Sequence, residues 1–124
     1  MKFCFIDYRP LKSNINRDMT GNFGSDMSSN SLTTKFLSAL KRNSLKIPII
    51  SYAQSASILS NENHSYTVYE DFPDEQADIF IFMTSIMNLK QDIDFLKKLK
   101  KTYPQSKVGI VGAINKAMPH LFNN

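Results

Sequence analysis

The run ADIFIFMTS, residues 77–85, is the feature that most constrains the fold. Ile79 to Met83 are apolar without alternation. A strand with one wet face alternates apolar and polar residues, because successive side chains point to opposite faces. A run that is apolar throughout suits a strand covered on both faces, as in a parallel sheet flanked by helices. KVGIVGA (107–113) is a second run of this kind. Between the two lies LKQDIDFLKKLKKTY (89–103), where Leu89, Ile93, Leu96, Leu99 and Tyr103 recur at helical spacing. That spacing predicts an apolar inner stripe, with Lys and Asp on the opposite face. Asn88 stands where a helix cap belongs, and Pro104 lies just beyond the helix end. Strand, amphipathic helix, strand is the pattern of a parallel crossover unit.

The rest of the chain extends this pattern. KFCFIDY (2–8) predicts a strand that stops at Arg9-Pro10, since Pro lacks a ladder donor. KIPIISYA (46–53) predicts a further strand, and the alternating SYTVYEDF (65–72) a short edge strand. In LTTKFLSALKRN (32–43), Leu32, Phe36, Leu37 and Leu40 predict a helix that Asn30 or Ser31 can cap. NKAMPHLF (115–122) predicts a last helix, weakened by Pro119. Residues 11–30 are mostly polar, with Asn, Ser, Gly and Asp throughout, and include Gly21 and Gly24. A structureless segment of that length predicts a long flexible loop. The expected fold is an α/β three-layer open sandwich with a mostly parallel sheet, flavodoxin-like or Rossmann-like. It forms a single domain over residues 1–124.

Composition removes several function classes. The chain is 42% hydrophobic and 21% charged, an ordinary globular balance. Its net charge of +4 is diffuse. The densest run, Lys97-Lys98 with Lys100-Lys101, reads as the solvated face of one helix. No continuous basic face with stacking aromatics can be assembled, so nucleic acid is not an expected partner. No window reaches the about 18 apolar residues of a membrane span, and no membrane partner is expected. The single Cys4 excludes a disulfide framework and reads as a small buried apolar residue. A reducing, cytoplasmic location is the expectation.

In open parallel sheets, ligands bind beyond the carboxyl ends of the strands, where the strand order reverses. Tyr8-Arg9, Thr84-Ser85 and Gly112-Ala113 occupy those ends. Small residues there leave room for a large ligand, and hydroxyls and free N–H groups can hydrogen-bond it. Gly112 equally suits a plain turn from strand into helix. No GxxxxGK[ST] and no GxGxxG follows the first strand. His64 and His120 lie far apart with no nearby Cys, so no metal ligands are assigned. Asp7 stands alone at the end of the first strand, without the acidic cluster of a receiver domain. No catalytic residue is identified.

The segment 77–122 resembles the second half of the cobalamin-binding domain that precedes many radical SAM catalytic domains. Ala77-Asp78 opening a strand, Thr84-Ser85 closing it, Tyr103-Pro104 after the helix, Gly112-Ala113 and Pro119 follow that family's order. The first half is similar more loosely. Ala113 departs from the family's usual second glycine, and the Asp-x-His-x-x-Gly cobalt-ligating motif of another branch is absent. The three-Cys motif of the radical SAM cluster is absent as well.

The resemblance implies a cobalamin-binding domain cut from a longer radical SAM enzyme such as a methyltransferase, and metal-binding by way of the cofactor. Its cofactor contacts would be Tyr8, Arg9, Thr84, Ser85, Gly112 and Ala113. S-adenosylmethionine and an iron–sulfur cluster would belong to a downstream radical SAM domain of the same polypeptide, the implied partner. The chain itself would hold the corrin and catalyse nothing. A large side chain at Gly112 would then block the cofactor's nucleotide tail without unfolding the core, provided Gly112 does not require a positive φ. Two other readings stand beside it: a cofactor-free α/β scaffold or interaction domain, and a receiver-like signalling domain.

Overall fold

Four strands make one sheet in the computed structural model, which describes residues 1–8, 31–36 and 50–122. They are β1 (Lys2–Ile6), β2 (Ser65–Tyr69), β3 (Ile79–Met83) and β4 (Lys107–Val111). Every pairing is parallel, with Cys4 opposite both Thr67 and Phe80, and Ile81 opposite Gly109. The order is β2-β1-β3-β4. It reverses between β1 and β3, as in the flavodoxin-like arrangement. The helices are α1 (Ile50–Asn61), α2 (Leu89–Thr102) and the short α3 (Ala113–Ala117), with 3₁₀ turns at Ile86–Asn88 and Pro119–Leu121. Residues 32–36 are helical as well, as expected for the start of 32–43. The loop expected over 11–30, and residues 37–43 of that helix, lie outside the described residues. No helix among the described residues is long and apolar enough to cross a membrane.

β1 and β3 are covered on both faces, as their composition requires, whereas β4, expected to be covered likewise, has no fully buried residue and leaves Val111 43% exposed because it ends the sheet. Cys4, Ile6, Phe80 and Phe82 pack with Phe95 and Leu99 of α2. Phe5 and Met83 pack with Tyr52 and Ala56 of α1. Phe5, Phe80 and Phe82 are fully buried. Each such side chain contributes about 1.5–3 kcal/mol of transfer free energy.

The strand expected at 46–53 is not formed where the chain is described: residues 50–53 are helical and open α1. Tyr52, Ala56 and Leu59 recur with helical period and lie against Phe5, Met83 and Ile81. The apolar Ile49-Ile50 looked strand-like. The helical stripe beyond it is built from one Tyr and one Ala among serines, a low-contrast pattern. The strand at 65–69 takes the fourth place instead, at the edge of the sheet.

Residues 70–78 carry the chain from β2 to β3 without a helix. This stretch fills the place of one on the α2 side. Phe72 packs on Phe95 and Tyr103, with ring centroids 5.4 and 6.3 Å away. Pro73 is fully buried, and its carbonyl accepts the Tyr103 hydroxyl at 2.9 Å.

Two local expectations for α2 also change. Of its expected inner stripe, Leu99 is fully buried and Leu96 and Tyr103 pack half-buried on the same core, but the other buried residues of the helix are Phe95 and Asp92, so Asp92 faces inward. Asn88 precedes the helix but makes no side-chain capping bond. The last expected helix, 115–122, divides at Met118 into α3 and the Pro119–Leu121 turn, because the residue before Pro disfavours the helical region.

Candidate functional site

The reversal of strand order between β1 and β3 directs attention to the carboxyl edge of the sheet. Ile6 pairs with Phe82, so Asp7-Tyr8 and Met83-Thr84 leave the sheet side by side. The Asp7 N–H donates to the Tyr69 carbonyl at 2.8 Å, which prolongs the β1–β2 ladder by one bond. The Tyr52 hydroxyl of α1 donates to the Ile6 carbonyl at 3.0 Å. Both bonds hold the end of β1 in a fixed place.

Tyr8 lies on the α2 side. Its ring centroid is 4.4 Å from that of Phe95 and 6.3 Å from that of Phe82. It is half-buried, so one part of the ring covers the core and the rest borders the edge.

Thr84 and Ser85 are fully buried. The Thr84 N–H donates to the Val111 carbonyl at 2.9 Å, and its hydroxyl approaches the same oxygen at 3.4 Å. The Ser85 N–H donates to Asp92 Oδ2 at 2.8 Å. Asp92 is itself fully buried in the first turn of α2. The first turn of a helix suits an acidic side chain, which meets the positive end of the dipole, and this one accepts a backbone donor. Asp92 therefore ties the end of β3 to the start of α2. Its sequence signal was its place three and seven residues before Phe95 and Leu99, on one helical face. From the sequence alone, an acidic residue beside an apolar stripe reads as solvent-facing.

Gly112 meets Thr84 directly. Its φ is 147° and its ψ 156°, a conformation essentially confined to glycine. A Cβ placed on it would lie 2.7 Å from Thr84 Oγ1 and 3.0 Å from the Thr84 carbonyl oxygen. The proviso attached to a large side chain at Gly112 thus fails: such a change strains the fold itself. Of the six expected contacts, the structure joins Thr84 to Gly112 and places Tyr8 at the same edge. Ala113 begins α3, and Arg9 lies outside the described residues.

Three apolar side chains on the segments that follow these strand ends are exposed: Ile86, Val111 and Met118, at 43%, 43% and 46%. They belong to the segments that leave β3, end β4 and end α3. Sequence reasoning did not single them out because each sits singly in its own segment. Among the described residues, no three His, Cys, Asp or Glu side chains gather where they could hold a metal ion. Cys4 is 1% exposed, and burial pushes its thiol up to about 11, so it is not poised as a nucleophile.

Comparison with protein-family models, with curated proteins and with solved structures found no match to this chain. The class stands on the coordinates: an α/β domain with an all-parallel four-stranded sheet in flavodoxin-like order.

Proposed function

We propose that this chain is a cobalamin-binding-like domain that presents a corrin to a neighbouring radical SAM catalytic domain. The observation that carries the reading is the carboxyl edge. The strand order reverses there, a glycine ends β4 at φ 147°, and Ile86, Val111 and Met118 offer exposed apolar surface. A broad, flat ligand with a largely apolar face suits exposed apolar side chains on the segments that leave a sheet edge. The motif order over 77–122 supports the same choice of ligand.

The residues present fit this group in part. The backbone at Gly112, the half-buried Tyr8 and the three apolar side chains would hold it. The hydroxyls of Thr84 and the side chain of Ser85 are buried within the domain and support the edge from beneath. When bound, cobalamin would supply the group-transfer chemistry. The chain's own residues would hold and orient it and shield one face from water. S-adenosylmethionine and the iron–sulfur cluster would reside on the neighbouring domain.

A cofactor-free scaffold is the second reading. It is favoured by the complete burial of Thr84 and Ser85, whose polar groups are engaged internally. One experiment separates the two. The chain is reconstituted with hydroxocobalamin without oxygen and passed through gel filtration while visible absorbance is followed. Co-elution of cobalamin in a fixed ratio, lost in Val111→Asp with an unchanged circular dichroism melt, is the expected result. No retention by the wild-type chain, alone or joined to its catalytic domain, leaves the scaffold reading.

A further inference from the structure

We infer that β2 pairs with β2 of a second copy of this chain, antiparallel about a two-fold axis at Thr67, joining two sheets edge to edge. The inference stands on the opposite edge from β4 and does not depend on any cofactor.

The two outer strands end the sheet differently. At β4, Asn115 Nδ2 donates to the Ile110 carbonyl at 2.9 Å, so a side chain already occupies part of that edge. Lys107 adds a charge and Gly109 a residue poor at strand pairing. At β2 no such device is present: SYTVY holds no Pro, no Gly and no charge. Among the described residues, β2 pairs with β1 alone.

The direction of its backbone follows from two bonds. Ser65 N–H donates to the Met1 carbonyl at 3.2 Å, and the Tyr69 carbonyl accepts Asp7 N–H at 2.8 Å. Ser65 and Tyr69 therefore face β1, and by alternation Tyr66 and Val68 turn their N–H and C=O groups outward. The side chains of these same two residues are 44% and 55% exposed. An edge that offers two outward residues with apolar side chains is a template for another strand.

The occupant follows from the register. Pairing about Thr67 sets Tyr66 opposite Val68 of the second copy, Ser65 opposite Tyr69, and His64 opposite Glu70. The first is an aromatic–β-branched pair, a favourable cross-strand combination. It recurs by symmetry, so the apolar side chains of both copies share one face and cover each other. The last sets an imidazole against a carboxylate. No like charges meet across the axis, although the chain as a whole carries +4. A two-fold contact of this kind is self-complementary and closed, which limits the assembly to two chains.

The test is the mass of the full chain in solution, measured by light scattering after gel filtration across the micromolar range. The mass of two chains is expected. Val68→Lys should halve it while the far-ultraviolet circular dichroism is kept, and Lys107→Glu on the other edge should leave it at two. If Val68→Lys does not fold, Tyr66→Lys takes its place. An oxidised mixture of Tyr66→Cys and Val68→Cys chains should cross-link, and either variant alone should not. A single-chain mass for the wild type, an assembly larger than two, or a two-chain mass that survives both edge lysines overturns the inference. Cross-linking by one cysteine variant alone overturns it equally.

Discussion

Gly112→Ala tests the structural account of the carboxyl edge most directly. Two separate costs follow from the geometry. The residue sits at φ 147° and ψ 156°, and holding a side-chain-bearing residue in such a region costs about 1–3 kcal/mol. The new methyl would also lie 2.7 Å from Thr84 Oγ1 and 3.0 Å from the Thr84 carbonyl oxygen. Thr84 is fully buried and cannot swing away, so the overpacking adds about 1–3 kcal/mol. Together the loss is roughly 2–6 kcal/mol, a large share of the about 5–15 kcal/mol that holds a domain folded. At about 4 °C per kcal/mol for a chain of this size, Tm falls by roughly 8–24 °C.

Urea denaturation followed by circular dichroism measures the loss. Thr84→Ala in the same background divides it, because the side-chain clash disappears while the carbonyl contact and the φ remain. Partial recovery in that double-mutant cycle is expected. A loss below about 1 kcal/mol for Gly112→Ala would refute the strain argument, since neither cost could then be real. Complete recovery by Thr84→Ala would refute its backbone part.

Three further outcomes are expected. Asp92→Ala removes the acceptor of the Ser85 N–H inside the core and should cost about 1.5–3 kcal/mol in urea denaturation, with Asp92→Asn milder because one oxygen remains. Cys4, at 1% exposure and with its thiol pushed up to about 11 by burial, should resist a disulfide reagent at pH 8 in the folded chain and react fully in denaturant; rapid labelling without unfolding would contradict its placement. The Asp74 carboxylate accepts the Tyr69 phenol and raises its pKa from 10.0 to about 12. The neutral phenol is thus favoured in the folded state, and its stabilisation is complete below pH 10 and lost as pH rises through 12. Tyrosinate absorbance should contain a late-titrating component that Asp74→Ala returns to the ordinary range.

Legibility along the chain follows contrast. ADIFIFMTS declared itself as a doubly covered strand and KVGIVGA as a strand because no polar residue interrupts their apolar runs, though β4 is not buried on both faces, and 89–103 declared itself as a helix because its Lys and Leu are cleanly segregated. The stretch 50–61 did not, since Ala and Ser carry little periodic signal and a preceding Ile pair imitates a strand. Its helix is stabilised by what it covers: Tyr52 and Ala56 lie on Phe5 and Met83, contacts between residues far apart in sequence. The site was legible in position but not in role. Strand ends at Tyr8, Thr84 and Gly112 could be located from the runs that precede them. That Thr84 and Ser85 face inward could not, because their burial comes from Asp92 and Gly112 on other elements.

The sequence by itself therefore determined the class: an α/β chain with parallel strands, the central ones covered on both faces. That information is local, held in the period and breadth of each apolar run. Only the tertiary structure decided the order β2-β1-β3-β4, the inward turn of Asp92 and the glycine-only conformation where β4 meets Thr84. Each of these depends on which elements become neighbours. Neighbours are selected by the packing of the whole core, and no single segment carries that choice.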